Sequence, residues 1–260
     1  MNNIRSGTRI ACLMLLVCTV AFAAGGETVT YVDGVDAAFP PFSFIDETGE
    51  ASGFDVEVVR WIADELGFEV EIVPIDWDAI IPTLLTEEID LIASGMSITA
   101  ARAERVAFTS SYWSVDLAVV VRETADADGE PVAELNPFTL MGGGRRIGVQ
   151  RGTTSQTWLE ENVVGAGIDV ELVLYENFLL ALEDLEIGRV DGAVMDAPTA
   201  SSSISERPVT IAGSIATGEI YGYAVRPQDA ELLDLLNEGL RRIQQTDTWD
   251  ALVQKWLVGS

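Results

Sequence analysis

The run Ile89-Asp90-Leu91-Ile92-Ala93-Ser94-Gly95-Met96-Ser97-Ile98-Thr99-Ala100-Ala101-Arg102 leads from an apolar strand, through a turn of small residues, into the start of a helix. A strand handing over to a helix in this way is the basic unit of an α/β sheet. With Thr99 as N-cap, Arg102 falls at the third helical position, where a capping box takes Glu or Gln and the helix dipole disfavours a cation. An anion held at the same place would remove that conflict. Free backbone N–H groups, the Ser97 hydroxyl and a guanidinium fork together suit a carboxylate. A surface arginine paired with Glu104 or Glu88 accounts for the stretch equally well.

Upstream of this run the pattern is strand, helix, strand, helix. Glu27 to Gly34 reads as a first strand, followed by the proline-stiffened aromatic loop Asp36-Ala37-Ala38-Phe39-Pro40-Pro41-Phe42-Ser43-Phe44. Val58, Ile62 and Leu66 recur at four-residue spacing and Gly67 stops them, which predicts a helix from Gly53 to Leu66. Val70 to Pro74 is a strand, and Trp77 to Thr86 a helix with Ile80, Ile81, Leu84 and Leu85 inward. About a hundred residues later the order returns: Trp77, Leu84 and Ile89-Asp90 are echoed by Phe178, Leu185 and Val190-Asp191.

The echo predicts an α/β fold of two lobes, each a mostly parallel sheet flanked by helices. Their loops Ser94-Gly95 and Met195-Asp196 face one cleft beyond the carboxyl ends of the strands. Asp116 to Arg122 and Glu219 to Arg226 read as strands crossing between lobes, and Ala230 to Ile243 and Thr248 to Leu257 as helices packing back on the first lobe. The expected division is residues 24–119 with 223–260 for lobe 1 and 120–222 for lobe 2. Glu123 to Gly144 is expected to be a mobile surface excursion.

Composition narrows the chemistry. The 260 residues carry 42 acids against 15 basic residues and no histidine, a net charge of −27. That excludes nucleic acid as a natural partner and suits a salty habitat, as does the single lysine, Lys255. Residues 1–23 have the form of a signal peptide: Arg5 and Arg9 precede an apolar run that ends at Ala21-Phe22-Ala23. Cleavage there would remove both cysteines, Cys12 and Cys18. Lipidation at Cys18 is the second option, disfavoured by the bulky Val17. Without histidine or thiols, most metal sites and nucleophile–base pairs are ruled out, so no metal, cofactor or catalytic residue is expected.

Taken together, several motifs resemble the periplasmic solute-binding proteins of polar amino-acid ABC transporters. They are Asp36 to Phe44, Gly53-Phe54-Asp55-Val56-Glu57, Trp77-Asp78-Ala79-Ile80-Ile81-Pro82, Gly95-Met96-Ser97-Ile98-Thr99 with Arg102, Phe108-Thr109-Ser110-Ser111-Tyr112, Val190 to Asp196, Tyr221-Gly222 and the closing Trp249 to Trp256. The resemblance implies a type II two-lobed binding protein, monomeric and periplasmic, that closes on a free L-amino acid and presents it to a membrane permease. It also implies roles. Arg102 grips the ligand α-carboxylate, with Ser97, the Ser94-Gly95 turn and Thr153-Thr154 beside it, and Asp196 takes the α-ammonium. Phe39 and Trp77 wall the side chain, Asp36 accepts from it, and Gln150 and Met195 touch it. Each residue has an ordinary alternative: Asp196 as the cap of a helix from Ala197 to Ser203, Asp36 as a turn aspartate, and the aromatics as core. Glutamine, arginine and lysine-like ligands all remain open, with an acidic ligand disfavoured by the uncharged Gln150 and apolar Met195.

Two other function classes fit the same scaffold. One is a secreted cyclohexadienyl dehydratase acting on prephenate or arogenate, with a cleft carboxylic acid as general acid. The other is a sensor module that reports the ligand to a separate membrane protein.

Overall fold

A computed structural model describes residues 28–125 and 131–258. The expected signal peptide and the acidic residues 126–130 lie outside these. The described residues build two large sheets and a small three-stranded one of Ala38–Phe39, Ser43–Ile45 and Ala51–Ser52. In the first the strand order is Glu69–Pro74, Thr30–Val35, Leu91–Ile92, Ala224–Val225, Ala107–Phe108. The first three are parallel, and Ala224–Val225 runs antiparallel to both its neighbours. In the second the order is Val170–Tyr175, Arg145–Gln150, Gly192–Asp196, Trp113–Ala125, Val209–Tyr221. Its first three strands are likewise parallel and its last two antiparallel.

Parallel neighbours need a crossover, and helices supply it. Phe54–Leu66 buries Val58, Val59, Ile62 and Ala63 and ends on Gly67, whose left-handed conformation turns its N–H back to the Ala63 carbonyl. The nine-residue helices Trp77–Leu85 and Phe178–Glu186 are the two halves of the echo. Each follows the edge strand of its sheet and leads to the third parallel strand, so the weak sequence echo corresponds to one architecture used twice.

The chain changes sheet between Phe108 and Trp113 and again between Tyr221 and Ala224. These segments are bonded to one another: Thr109 N–H donates to the Tyr223 carbonyl at 2.9 Å and Tyr112 N–H to the Tyr221 carbonyl at 3.0 Å. The expected boundary at 119/120 falls inside the strand Trp113–Ala125, whose partners all belong to the second sheet. The expected strand Glu219–Arg226 is two strands separated by Gly222-Tyr223. Gly222 sits where a Cβ would come within 2.8 Å of Ile98 and 3.3 Å of the Thr109 carbonyl, so the break is set by close approach of the backbone.

The tail helices Ala230–Ile243 and Asp247–Val253 do pack back on the first half. Gly239 lies against Ile62, and Trp249 stacks edge-on against Phe54 at 5.2 Å. Within Glu123 to Gly144, described residues join the second sheet and its core. Pro131–Ala133 pairs with Trp113–Ala125, and Leu140 is fully buried against Gly192 in the second core. No helix among the described residues is long and apolar enough to cross a membrane.

Candidate functional site

Asp36, Phe39, Trp77, Gly95, Ser97, Arg102, Gln150, Thr153, Thr154, Phe178 and Asp196 line one cleft between the two large sheets.

Thr99 caps the short helix Ala100–Ala103, its hydroxyl accepting the Arg102 N–H at 3.2 Å. The guanidinium donates to the Ser97 carbonyl at 2.9 Å and, from the opposite wall, to the Gly152 carbonyl at 3.2 Å. It lies over Trp77, 5.2 Å from the ring centre. Among the described residues no ion pair joins it to Glu88, Glu104 or another acid, so the surface-pair reading fails. Burial pushes the Arg102 pKa down, opposed by the negative charges of Asp196 and Glu219.

Asp196 occupies the cap position of helix Ala197–Ser203, but its side chain makes no capping bond. The carboxylate accepts the Tyr221 hydroxyl instead, and the Ser155 hydroxyl at a long 3.5 Å. Burial, with a smaller push from Glu219, raises its pKa to about 7, against the opposing effects of Tyr221, Arg102 and Ser155.

Asp36 combines both readings offered for it. One carboxylate oxygen accepts the Ala38 N–H at 3.0 Å, as a turn aspartate does, and the other accepts Gln150 Nε2 from the facing lobe at 2.7 Å. Burial raises its pKa, and the bonds from Gln150 and Ala38 hold it back. Gly95 has φ +56°, and a Cβ there would sit 2.4 Å from the Phe39 ring, so a glycine lets that ring close on the cleft.

Two expected contacts are corrected. Ser94 does not line the cleft: its buried hydroxyl bonds Ser43 Oγ at 2.7 Å and accepts the Asp36 N–H at 2.9 Å, bracing the wall from behind. Met195 faces away because neighbouring residues on a strand point to opposite sides. Asp196 meets the cleft, while Met195 is fully buried in the main core.

The structure adds Phe178, 5.9 Å from Phe39, which the sequence echo had already matched to Trp77. It also adds Glu219, which accepts the Ser97 hydroxyl at 2.7 Å and carries no local sequence signal. At the rim, Trp77 Nε1 donates to the Gly152 carbonyl at 3.1 Å and Arg151 pairs with Asp78 at 2.9 Å. Among the described residues there is no cluster of acids able to hold a metal ion.

The model of a family described as bacterial extracellular solute-binding proteins, family 3, matches residues 31–259. The L-cystine-binding protein TcyJ of Escherichia coli (strain K12) is 28% identical over 235 residues, 88% of this chain and 83% of that protein. The lysine/arginine/ornithine-binding periplasmic protein of the same strain is 31% identical over 245 residues, 91% of this chain and 90% of that protein. Among solved structures, an ancestral arginine-binding protein bound to arginine is 35% identical, with a TM-score of 0.78 over 88% of this chain and 98% of that one.

Proposed function

The chain belongs to the bacterial extracellular solute-binding proteins of family 3, with their two-lobed type II fold, and on that premise we propose that its ligand is a free cationic L-amino acid of the arginine, lysine or ornithine class. One observation carries the choice. The cleft is lined by two carboxylates, Asp36 and Asp196, and a single guanidinium, Arg102. Arg102 and Asp196 match the two charges of an amino-acid zwitterion, which leaves Asp36 to be neutralised by a positive side chain. Phe39, Trp77 and Phe178 offer ring faces on which a guanidinium or ammonium stem can stack. The net charge of −27 raises the local concentration of such a cation at low salt.

In this reading the lobes are the two sheets with their helices, the chain is exported by its first 23 residues as a monomer, and a permease collects the ligand. Calorimetry against the twenty amino acids, ornithine and citrulline tests it. Arginine, lysine or ornithine should bind with micromolar or tighter affinity, about −8 kcal/mol or better. Citrulline, the neutral isostere of arginine, should bind at least about tenfold more weakly. A neutral amino acid as the tightest ligand overturns the reading.

The raised pKa of Asp196 has a kinetic counterpart in the dehydratase alternative, since a general acid works best with a pKa near the operating pH. Prephenate therefore belongs in the same panel, and no phenylpyruvate absorbance is expected.

Binding should also depend on pH. The α-ammonium needs Asp196 ionised, so below its pKa of about 7 a proton must leave before the ligand binds. Between pH 8 and pH 6 the ionised fraction falls about tenfold, and the affinity for arginine should fall with it. Calorimetry at pH 6 in two buffers of different ionisation enthalpy should show proton release on binding. A dissociation constant that is flat over this range removes Asp196 from the ammonium site.

A further inference from the structure

Behind the cleft lies a carboxylate that touches no part of it. Asp55, the second residue of helix Phe54–Leu66, is fully buried and is not among the residues that line the cavity. One of its oxygens accepts the Gly95 N–H at 2.6 Å and the Tyr112 hydroxyl at 2.8 Å, and the other accepts the Tyr223 hydroxyl at 3.2 Å. Gly95 is part of the ligand-facing turn, whereas Tyr112 and Tyr223 stand on the two segments by which the chain passes between the sheets. Among the described residues no cation is paired with Asp55, and burial raises its pKa to about 7. Burial and, to a smaller extent, the charge of Asp55 raise the pKa of another buried acid, Asp33, which accepts the Ala93 N–H at 2.8 Å.

A buried acid without a counter-charge is a poor choice for stability alone, where an apolar side chain would serve better. What a carboxylate does that no apolar group or amide can is accept three donors while bringing none of its own. Here the three donors come from the binding turn and from both crossing segments.

We propose that Asp55 is a positioning residue of the amino-acid site, joining the Gly95 turn to both interlobe crossings so that the shape of the cleft wall and the setting of the lobes change together. This rests on the cationic amino-acid reading for its ligand.

The test compares Asp55→Asn and Tyr112→Phe/Tyr223→Phe with Ser203→Ala, a variant that removes a buried, unpartnered hydroxyl remote from the join. Arginine dissociation constants are measured well below each melting temperature. The double tyrosine variant should keep a single cooperative melt and bind arginine at least tenfold more weakly. Asp55→Asn should lose more, and adding the tyrosine changes to it should have little further effect. Ser203→Ala should bind like the parent. A merely structural Asp55 would lower melting temperatures and leave the dissociation constants within twofold, which overturns the proposal.

If the parent binds no cationic amino acid, the functional reading fails on its own, and the same comparison is made with whichever amino acid the panel identifies. If none binds, amide exchange decides. The Gly95 amide and residues 109–113 and 221–224 should exchange faster together in both Asp55→Asn and the double tyrosine variant, and independent changes overturn the join.

Discussion

Replacing Arg102 with alanine is expected to raise the dissociation constant for arginine by roughly thirtyfold or more. Among the described residues the guanidinium is the only cation lining the cleft, set between the Ser97 and Gly152 carbonyls and over Trp77. Without it, a ligand carboxylate would be desolvated opposite Asp196 with no positive charge to meet it. Removing one partner of a buried, hydrogen-bonded charge pair costs about 2–5 kcal/mol, or roughly thirtyfold to several thousandfold in affinity. The effect on folding should be small, because the bonds lost join Arg102 to two backbone carbonyls and, among the described residues, to no acid. Arg102→Lys keeps the charge and loses the planar fork, and should fall between the two. Titration calorimetry with a parallel thermal melt reads both quantities. An Arg102→Ala variant that binds within threefold of the parent sinks the carboxylate role.

Asp36→Asn should change which ligand wins. The substitution preserves an acceptor for the Ala38 N–H and removes the second negative charge of the cleft. A charged hydrogen bond to a ligand guanidinium or ammonium is worth about 1.5–3 kcal/mol net, so arginine should weaken by roughly tenfold to a hundredfold. Citrulline loses nothing of the kind and should bind as well as before or better. The ratio of the two dissociation constants, measured in the same buffer, is the diagnostic quantity. A ratio unchanged by Asp36→Asn means that the ligand side chain does not reach Asp36, and the cationic assignment falls with it.

Both experiments depend on residues that were legible to different degrees. Arg102 was legible because a cap and a charge three residues apart are governed by one turn of helix, and the Thr99 bond to the Arg102 N–H is that turn. Asp196 was ambiguous for the same reason: its position is a helix cap by local rules, and only the Tyr221 hydroxyl, 25 residues away, shows that the carboxylate is used elsewhere. Met195 was misread because a loop motif was treated as if all its side chains faced the cleft, although strand alternation gives that face to Asp196.

The sequence by itself determined the order of the main strands and helices, the helix spans Phe54–Leu66 and Ala230–Ile243 and the two-lobed plan. Those features follow from periodicity, glycine stops and caps, which act over a few residues. Tertiary structure alone decided that Gln150 would meet Asp36 across 114 positions of chain, that Phe178 would face Phe39, that Glu219 would take the Ser97 hydroxyl and that Asp55 would gather both crossings. Such contacts depend on how the two sheets come face to face, and no local rule of helix or strand carries that information.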